Sequence, residues 1–300
     1  MKHGSSNKIE YKIGFVLMAL YIFSAYVAVD ITISASVNTF FLYAFLGWGT
    51  LVALMHGIMK KLSTHTIYYA GFMVVSLLSM GYSPEFNIFS GQFYLMIVAF
   101  LMTFLFNIFI RKEKDFVYLS WFYAISSFAL VIMLQVTGNL EGTEGERLGQ
   151  ELVGNANIFA TIIMVAVLYE LWLLVYGTKK WFIKLALIAM VIYNMYALAL
   201  SAGRKYVVIP FMFLYILLIC KTNKKGKRNV ILYTLLTVIL VVCSYNLMMN
   251  NEILYESVGV RMEQMIEGGN DEGELDSSSK VREIMRNDAI EQWWEKPILG

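Results

Sequence analysis

The chain has 300 residues, 58% of them hydrophobic and 15% charged, with a formal net charge of +2. Soluble domains carry nearer a quarter charged residues, so this balance excludes an ordinary soluble fold. No acidic or basic tail of the kind that binds nucleic acid is present in the sequence.

Nine apolar runs alternate with charged connectors, over residues 13–29, 37–59, 66–82, 93–110, 116–137, 157–177, 182–200, 205–220 and 230–249. A stretch of about 18 or more apolar residues spans a hydrocarbon layer roughly 30 Å thick. The expected fold class is therefore all-α: a polytopic integral membrane protein with about nine transmembrane helices, plus an outer amphipathic helix. Residues 1–249 read as the helical bundle, and residues 250–300 as an extracytoplasmic segment.

The first run follows Lys2, Lys8 and Lys12 and reads as an uncleaved signal anchor. The eighth run is short and contains Pro210, which predicts a tilted, kinked or partly unwound helix. Lysine and arginine set the orientation. The N-terminus and the connectors holding Lys60/Lys61, Arg111/Lys112/Lys114, Lys179/Lys180/Lys184 and Lys221–Arg228 carry most of the 24 basic residues. All five lie on one side. The four short loops on the other side hold only Arg147, Arg204 and Lys205. By the positive-inside rule the N-terminus is cytoplasmic and residues 250–300 lie outside. Cys220 and Cys243 fall about 20 Å apart in depth at 1.5 Å per residue, too far for a disulfide. Both read as apolar packing residues.

Arginine on the outer face is not favoured by topology, so it asks for another reason. A guanidinium binds phosphate oxygens in a bidentate way. No nucleotide pool exists outside the cell, so the phosphate expected there is on a lipid carrier or headgroup.

Three outer patterns are candidates. The first runs from Arg147 through Gly149 and Gly154 to Asn155 and Asn157, just ahead of the sixth run. Its glycines allow a tight turn and its asparagines cap a helix whose positive end faces outward. The second is Ser201-Ala-Gly-Arg204-Lys205, which joins two crossing helices in a few residues. Cations at that depth lie at the bilayer surface or in a cavity between helices; snorkelling to headgroups is the plainer alternative. The third runs from Ser277 to Gly300. Arg282, Arg286, Ala289 and Trp293 share a helical stripe, Trp293 and Trp294 suit headgroup level, and Pro297 ends the helix. An interfacial anchor without chemistry explains the tryptophans equally well.

Glu170 lies inside the sixth run, where a carboxylate is costly. A structural hydrogen bond and a proton relay are both open readings. His3, His56 and His65 all fall on the cytoplasmic side, so no histidine is available outside for acid–base or metal chemistry. The sequence has no metal-site spacing, no GxSxG and no P-loop.

The outer Arg-x-x-Gly…Asn-x-Asn, the Ser-x-x-Arg between two helices, and the Arg…Pro-Ile-Leu-Gly after a long outer loop stand in this order. Together they resemble the O-antigen ligase and Wzy-type polysaccharide polymerase superfamily, over roughly residues 147–300. The resemblance implies metal-independent, inverting glycosyl transfer without a cofactor, on the outer face of a bacterial cytoplasmic (inner) membrane. The donor it implies is an undecaprenyl-diphosphate-linked glycan, with a flippase and a chain-length regulator as partners. Arg147, Arg204 and Arg282 match its diphosphate-binding positions. Lys205, Arg286, Asn155, Asn157 and Ser201 are supporting candidates. The family's acceptor-activating histidine follows Pro-Ile-Leu-Gly, so the chain reads as an N-terminal portion of a longer protein, with its catalytic base beyond Gly300. Polymerisation of repeat units is the expected reaction. Ligation of finished glycan to a lipid, wall or protein acceptor is the alternative within the class, and a transporter or flippase the alternative outside it. A transporter should lose function when Glu170 is neutralised; a transferase need not.

Overall fold

The computed structural model describes residues 9–28, 32–56, 63–80, 86–140, 148–153, 155–201, 203–222, 227–260, 262–263 and 277–295. Every regular element among them is helical. We number them α1 (Ile9–Val27), α2 (Thr32–Met55), α3 (Thr64–Met80), α4 (Phe86–Phe109), α5 (Glu113–Thr137), α6 (Gln150–Val153), α7 (Ala156–Trp172), α8 (Trp181–Leu200), α9 (Arg204–Thr222), α10 (Lys227–Asn250), α11 (Glu252–Leu254) and α12 (Ser277–Glu295). Two π-helical turns, Leu173–Gly177 and Tyr255–Gly259, continue α7 and α11.

Each predicted apolar run coincides with one long helix. Among the described residues, seven helical stretches are long and apolar enough to cross a membrane: Ile9–Val27, Ser36–Met55, Ser90–Phe109, Glu113–Thr137, Ala156–Gly177, Trp181–Leu200 and Val230–Asn250. The third and eighth predicted spans, now α3 and α9, fall outside that set. α3 has 17 residues, about 26 Å at 1.5 Å per residue. α9 carries Arg204 and Lys205 at its start and Lys221 near its end, which shortens its apolar stretch. The helix nevertheless runs without interruption through Pro210 in its second turn.

Local signals explain the ends. At the start of α5, Asp115 Oδ2 accepts the Lys112 N–H at 3.0 Å, and Glu113 adds a second acid at the positive end of the helix. The same helix stops at Gly138, whose φ of 76° is the left-handed conformation glycine adopts freely. Large apolar side chains stand exposed along α10 (Ile231, Leu232, Leu235, Val238) and α3 (Tyr68, Phe72, Val75). In water such surfaces drive aggregation; on a bilayer-spanning helix they are the lipid-facing side.

Contacts divide the chain into two units. The first is built on residues 1–15, 43–111 and 268–300, the second on 16–42 and 112–267. In the first unit α1 meets α4 at Gly14. The Phe109 ring lies so close that a β-carbon at Gly14 falls 2.1 Å from it. Tyr11 and Phe45 pack on the same ring. Small residues at such crossings let membrane helices approach. Gly14→Ala is therefore expected to lower the melting temperature, because the held Phe109 ring has to move. Gly47, with nothing within 4 Å of its added carbon, should tolerate alanine or gain from it by up to about 1 kcal/mol. Thermal unfolding in detergent compares the two.

In the second unit α5, α7, α8 and α9 pack around one core. Phe116, Tyr123, Tyr169, Trp172 and Tyr26 form a continuous ring ladder across α5, α7 and α1, with Tyr123 and Tyr169 stacked at 4.5 Å. Cys220 and Cys243 are both free and exposed, so they do not serve as the packing residues expected from the sequence.

Candidate functional site

The start of α7 and the α8–α9 connector meet at one end of the second unit. Leu148 N–H donates to the Leu200 carbonyl at 3.2 Å, joining the segment before α7 to the last residue of α8. Gly149 follows with φ +90° and lies against Phe159, where a β-carbon would come within 2.3 Å. Only glycine fits both the backbone and the space. Asn155 then caps α7: its Oδ1 accepts the Asn157 N–H at 2.8 Å.

The connector itself is covered. Leu140, Leu148, Gly149, Ser201 and Gly203 are all buried. The Ser201 hydroxyl turns back to the Leu198 carbonyl at 2.6 Å. Gly203 offers its carbonyl to Tyr206 N–H at 2.9 Å and starts α9. A β-carbon at Gly203 would fall 2.5 Å from the Tyr206 ring. Glu170 of α7 faces Asn194 of α8, and Leu173 packs with Leu187 and Met190. Leu148 and Gly149 lie beside the connector, tied to it by the Leu148–Leu200 hydrogen bond.

The predicted site residues divide accordingly. Arg147, Arg261 and the 296–300 segment with Pro297 lie outside the described residues. Arg204 is the first residue of α9, and Arg282 lies in the second turn of α12; for both, only the backbone is described. Lys205 is exposed, with its Nζ 4.8 Å from the Tyr206 ring centroid. Arg286 is exposed and pairs with Glu283 at 3.6 Å, an arrangement worth little in water. Asn155 and Asn157 meet at the cap, and Ser201 is buried next to the Leu148–Leu200 hydrogen bond. The structure thus brings the first two sequence patterns together.

The third pattern is helical as expected, ending at Glu295 two residues before Pro297. It is not the amphipathic helix predicted. Trp293 and Trp294 are consecutive and project about 100° apart. Exposed Ile284, Met285 and Ile290 are spread around the same helix rather than gathered on one stripe.

Sequence reasoning missed the partners of Glu170. The carboxyl is fully buried, and Asn194 Nδ2 donates to its Oε1 at 2.6 Å. Ser127 Oγ donates in turn to Asn194 Oδ1 at 3.2 Å. Asn194 and the Ser126-Ser127 pair are the polar interruptions in otherwise apolar stretches of α8 and α5, and that was the available signal. At the other end of the second unit, Lys221 Nζ donates to the Val175 carbonyl at 2.8 Å, and Tyr176 donates to the Leu217 carbonyl at 3.0 Å. This reciprocal clasp ties the π-helical turn after α7 to the last turns of α9.

Asn155→Ala should cost about 1 kcal/mol of stability by loss of the cap. Asn155→Asp should restore it, because an aspartate caps equally well. Thermal unfolding of the two variants checks the assignment. If Asn155→Asp restores stability but not function, the amide has a second task at this end of α7.

No family model, curated protein or solved structure matches the chain.

Proposed function

We propose that this chain binds the donor of a membrane glycosyl transfer that extends a surface polysaccharide on the outer face of a bacterial cytoplasmic membrane. In this reading all nine long apolar helices cross the bilayer, the N-terminus is cytoplasmic, and the Leu148–Leu200 junction faces outward. The observation that carries the reading is that junction. The residue after Arg147 is hydrogen-bonded to the residue before Ser201, and Arg204 opens α9 three residues later. In sequence, Arg147 and Arg204 therefore flank one backbone junction, Arg147 just before Leu148 and Arg204 four residues after Leu200.

A pair of arginines at such a junction suits a lipid-linked diphosphate. An acceptor hydroxyl attacks the anomeric carbon of the donor glycan. The bond from that carbon to the diphosphate oxygen breaks, and its electron pair stays with the diphosphate. Negative charge grows on the leaving group as this happens. Arg147 and Arg204 stabilise that charge, and the resemblance gives Arg282 of α12 the same role. Ser201 and Gly203 shape the connector, and Asn155 and Asn157 fix the first turn of α7, whose positive end adds to the field. Lys205, beside Arg204 at the start of α9, supplies further positive charge, and Arg286 is a supporting candidate on α12.

Repeat-unit polymerisation is the reaction we favour, over ligation of finished glycan. The test is complementation of a strain lacking the native copy. The wild-type gene should restore long polysaccharide, and a gene carrying both Arg204→Ala and Arg282→Ala should leave single repeat units at normal membrane abundance. Unchanged chain length in the double variant overturns the proposal. The buried Glu170 favours a second reading, transport of the lipid-linked glycan. Loss of surface glycan on Glu170→Gln, with the arginine variants active, would support transport instead.

A further inference from the structure

Glu170, Asn194 and Ser127 tie α7, α8 and α5 together in the middle of the second unit. Glu170 and Asn194 are both 0% exposed. Among the described residues, Oε2 of Glu170 has no hydrogen-bond partner, and no cation pairs with the carboxyl. An unpaired carboxylate in this position would be costly. A carboxylic acid is a different matter. Its carbonyl oxygen tolerates a missing partner, while its hydroxyl needs an acceptor.

The distances distinguish the two forms. An N–H···O bond normally spans about 2.7–3.2 Å and an O–H···O bond about 2.5–3.0 Å. The Glu170–Asn194 separation of 2.6 Å is short for an amide donor and ordinary for an acid hydroxyl. The Ser127–Asn194 separation of 3.2 Å is long for a hydroxyl donor and ordinary for an amide donor. Both fit better when the Asn194 amide is turned by half a rotation about its last torsion, since its oxygen and nitrogen are interchangeable in shape.

We propose that Glu170 is a proton-binding site inside the helix bundle, with the Asn194 amide turning over as the proton comes and goes. With the proton bound, Glu170 Oε1–H donates to Asn194 Oδ1, Asn194 Nδ2 donates to Ser127 Oγ, and Oε2 is the carbonyl oxygen. The Ser127 hydroxyl is then released to a carbonyl one turn back, as Ser120 already bonds Phe116 at 2.8 Å. When the proton leaves, the amide turns, Nδ2 donates to the carboxylate, and Ser127 donates to Oδ1. Either state uses the same three side chains in the same places, so the site accommodates one proton without moving a helix.

The surroundings suit this role. The titratable groups nearby are phenols: Tyr169 on the same helix, Tyr123 on α5 and Tyr26 on α1, in ring contact with one another. The Tyr26 hydroxyl is committed to the Ile162 carbonyl at 2.9 Å. The facing group on α8 is the neutral Asn194. From α9 the charged group is Lys221, held at the Val175 carbonyl five residues along α7 from Glu170. The ligand is therefore a proton rather than an organic ion. The site stands independently of the sugar-transfer reading.

The test uses the full chain in lipid nanodiscs and its infrared difference spectrum between alkaline and acid buffer. Beyond the bands of the exposed acids, a separate protonated-carboxyl band from the buried acid is expected in the wild type and should be missing from Glu170→Gln, which mimics the protonated shape and should keep the wild-type melting temperature. In Asn194→Leu the band should persist but shift, because the acid has lost its acceptor. Should Glu170→Gln fail to fold, Asn194→Leu alone carries the test, and an unshifted band overturns the proposal. So does a spectrum in which wild type and Glu170→Gln are the same. Stabilisation by sodium at constant pH that vanishes in Glu170→Gln would place a metal cation at Oε2, and that also overturns it.

Discussion

Replacing Arg204 by alanine is expected to lower polysaccharide extension by roughly 100- to 1,000-fold, the usual cost of removing one donor aimed at charge that develops in a transition state. In the proposed site Arg204, which opens α9 directly after the buried Gly203, is one such donor. Arg204→Lys should recover only part of the loss. A lysine keeps the charge but gives up the planar fork that engages two phosphate oxygens at once. Lys205→Ala should cost far less, because that ammonium is exposed and rests over the Tyr206 ring. The measurement is polysaccharide length and yield in a strain lacking the native copy, normalised to membrane abundance. Equal losses at both positions would show a general effect of surface charge instead.

Gly149→Ala is expected to be the most damaging small substitution in the second unit, on the order of 3 kcal/mol. Two penalties combine. The backbone holds φ +90°, and the new β-carbon would come within 2.3 Å of Phe159. Phe159 is fully buried, and its own β-carbon is the atom in the way, so the clash cannot be relieved by turning the ring. The segment must lift, and the Leu148–Leu200 hydrogen bond goes with it. Thermal unfolding should show the loss, and any glycan transfer should fall together with stability. Gly138→Ala makes a useful comparison. That residue shares the positive φ of 76° but has open space around it, so only the backbone cost applies, about 1–2 kcal/mol.

The helices were legible because a bilayer-scale apolar run has few other uses. The run at 116–137 even ended at the right residue, since Gly138 supplies a left-handed stop. The cap at Asn155 was legible for the same local reason. What could not be read was whatever depends on helix register. Glu170 was visible as an oddity, but its partners lie 24 and 67 residues from one another along the chain, as Asn194 from Glu170 and Ser127 from Asn194. Nothing local couples them. The Leu148–Leu200 junction has the same origin: the sequence shows two loops far apart along the chain, and only the folded helices join them. The third pattern failed for a simpler reason. Helical spacing was matched for a chosen stripe, while Trp294, one residue after Trp293, had to point elsewhere.

The central claim is that the outer arginines hold a lipid diphosphate. The most direct measurement is binding of a polyprenyl diphosphate, against the matching monophosphate, to the full chain in nanodiscs. The account predicts that the wild type prefers the diphosphate. It also predicts that Arg204→Ala weakens diphosphate binding roughly tenfold, as expected for one charge-assisted contact, with little effect on the monophosphate. Equal affinity for the two lipids, or a variant that binds the diphosphate as tightly as the wild type, would contradict it.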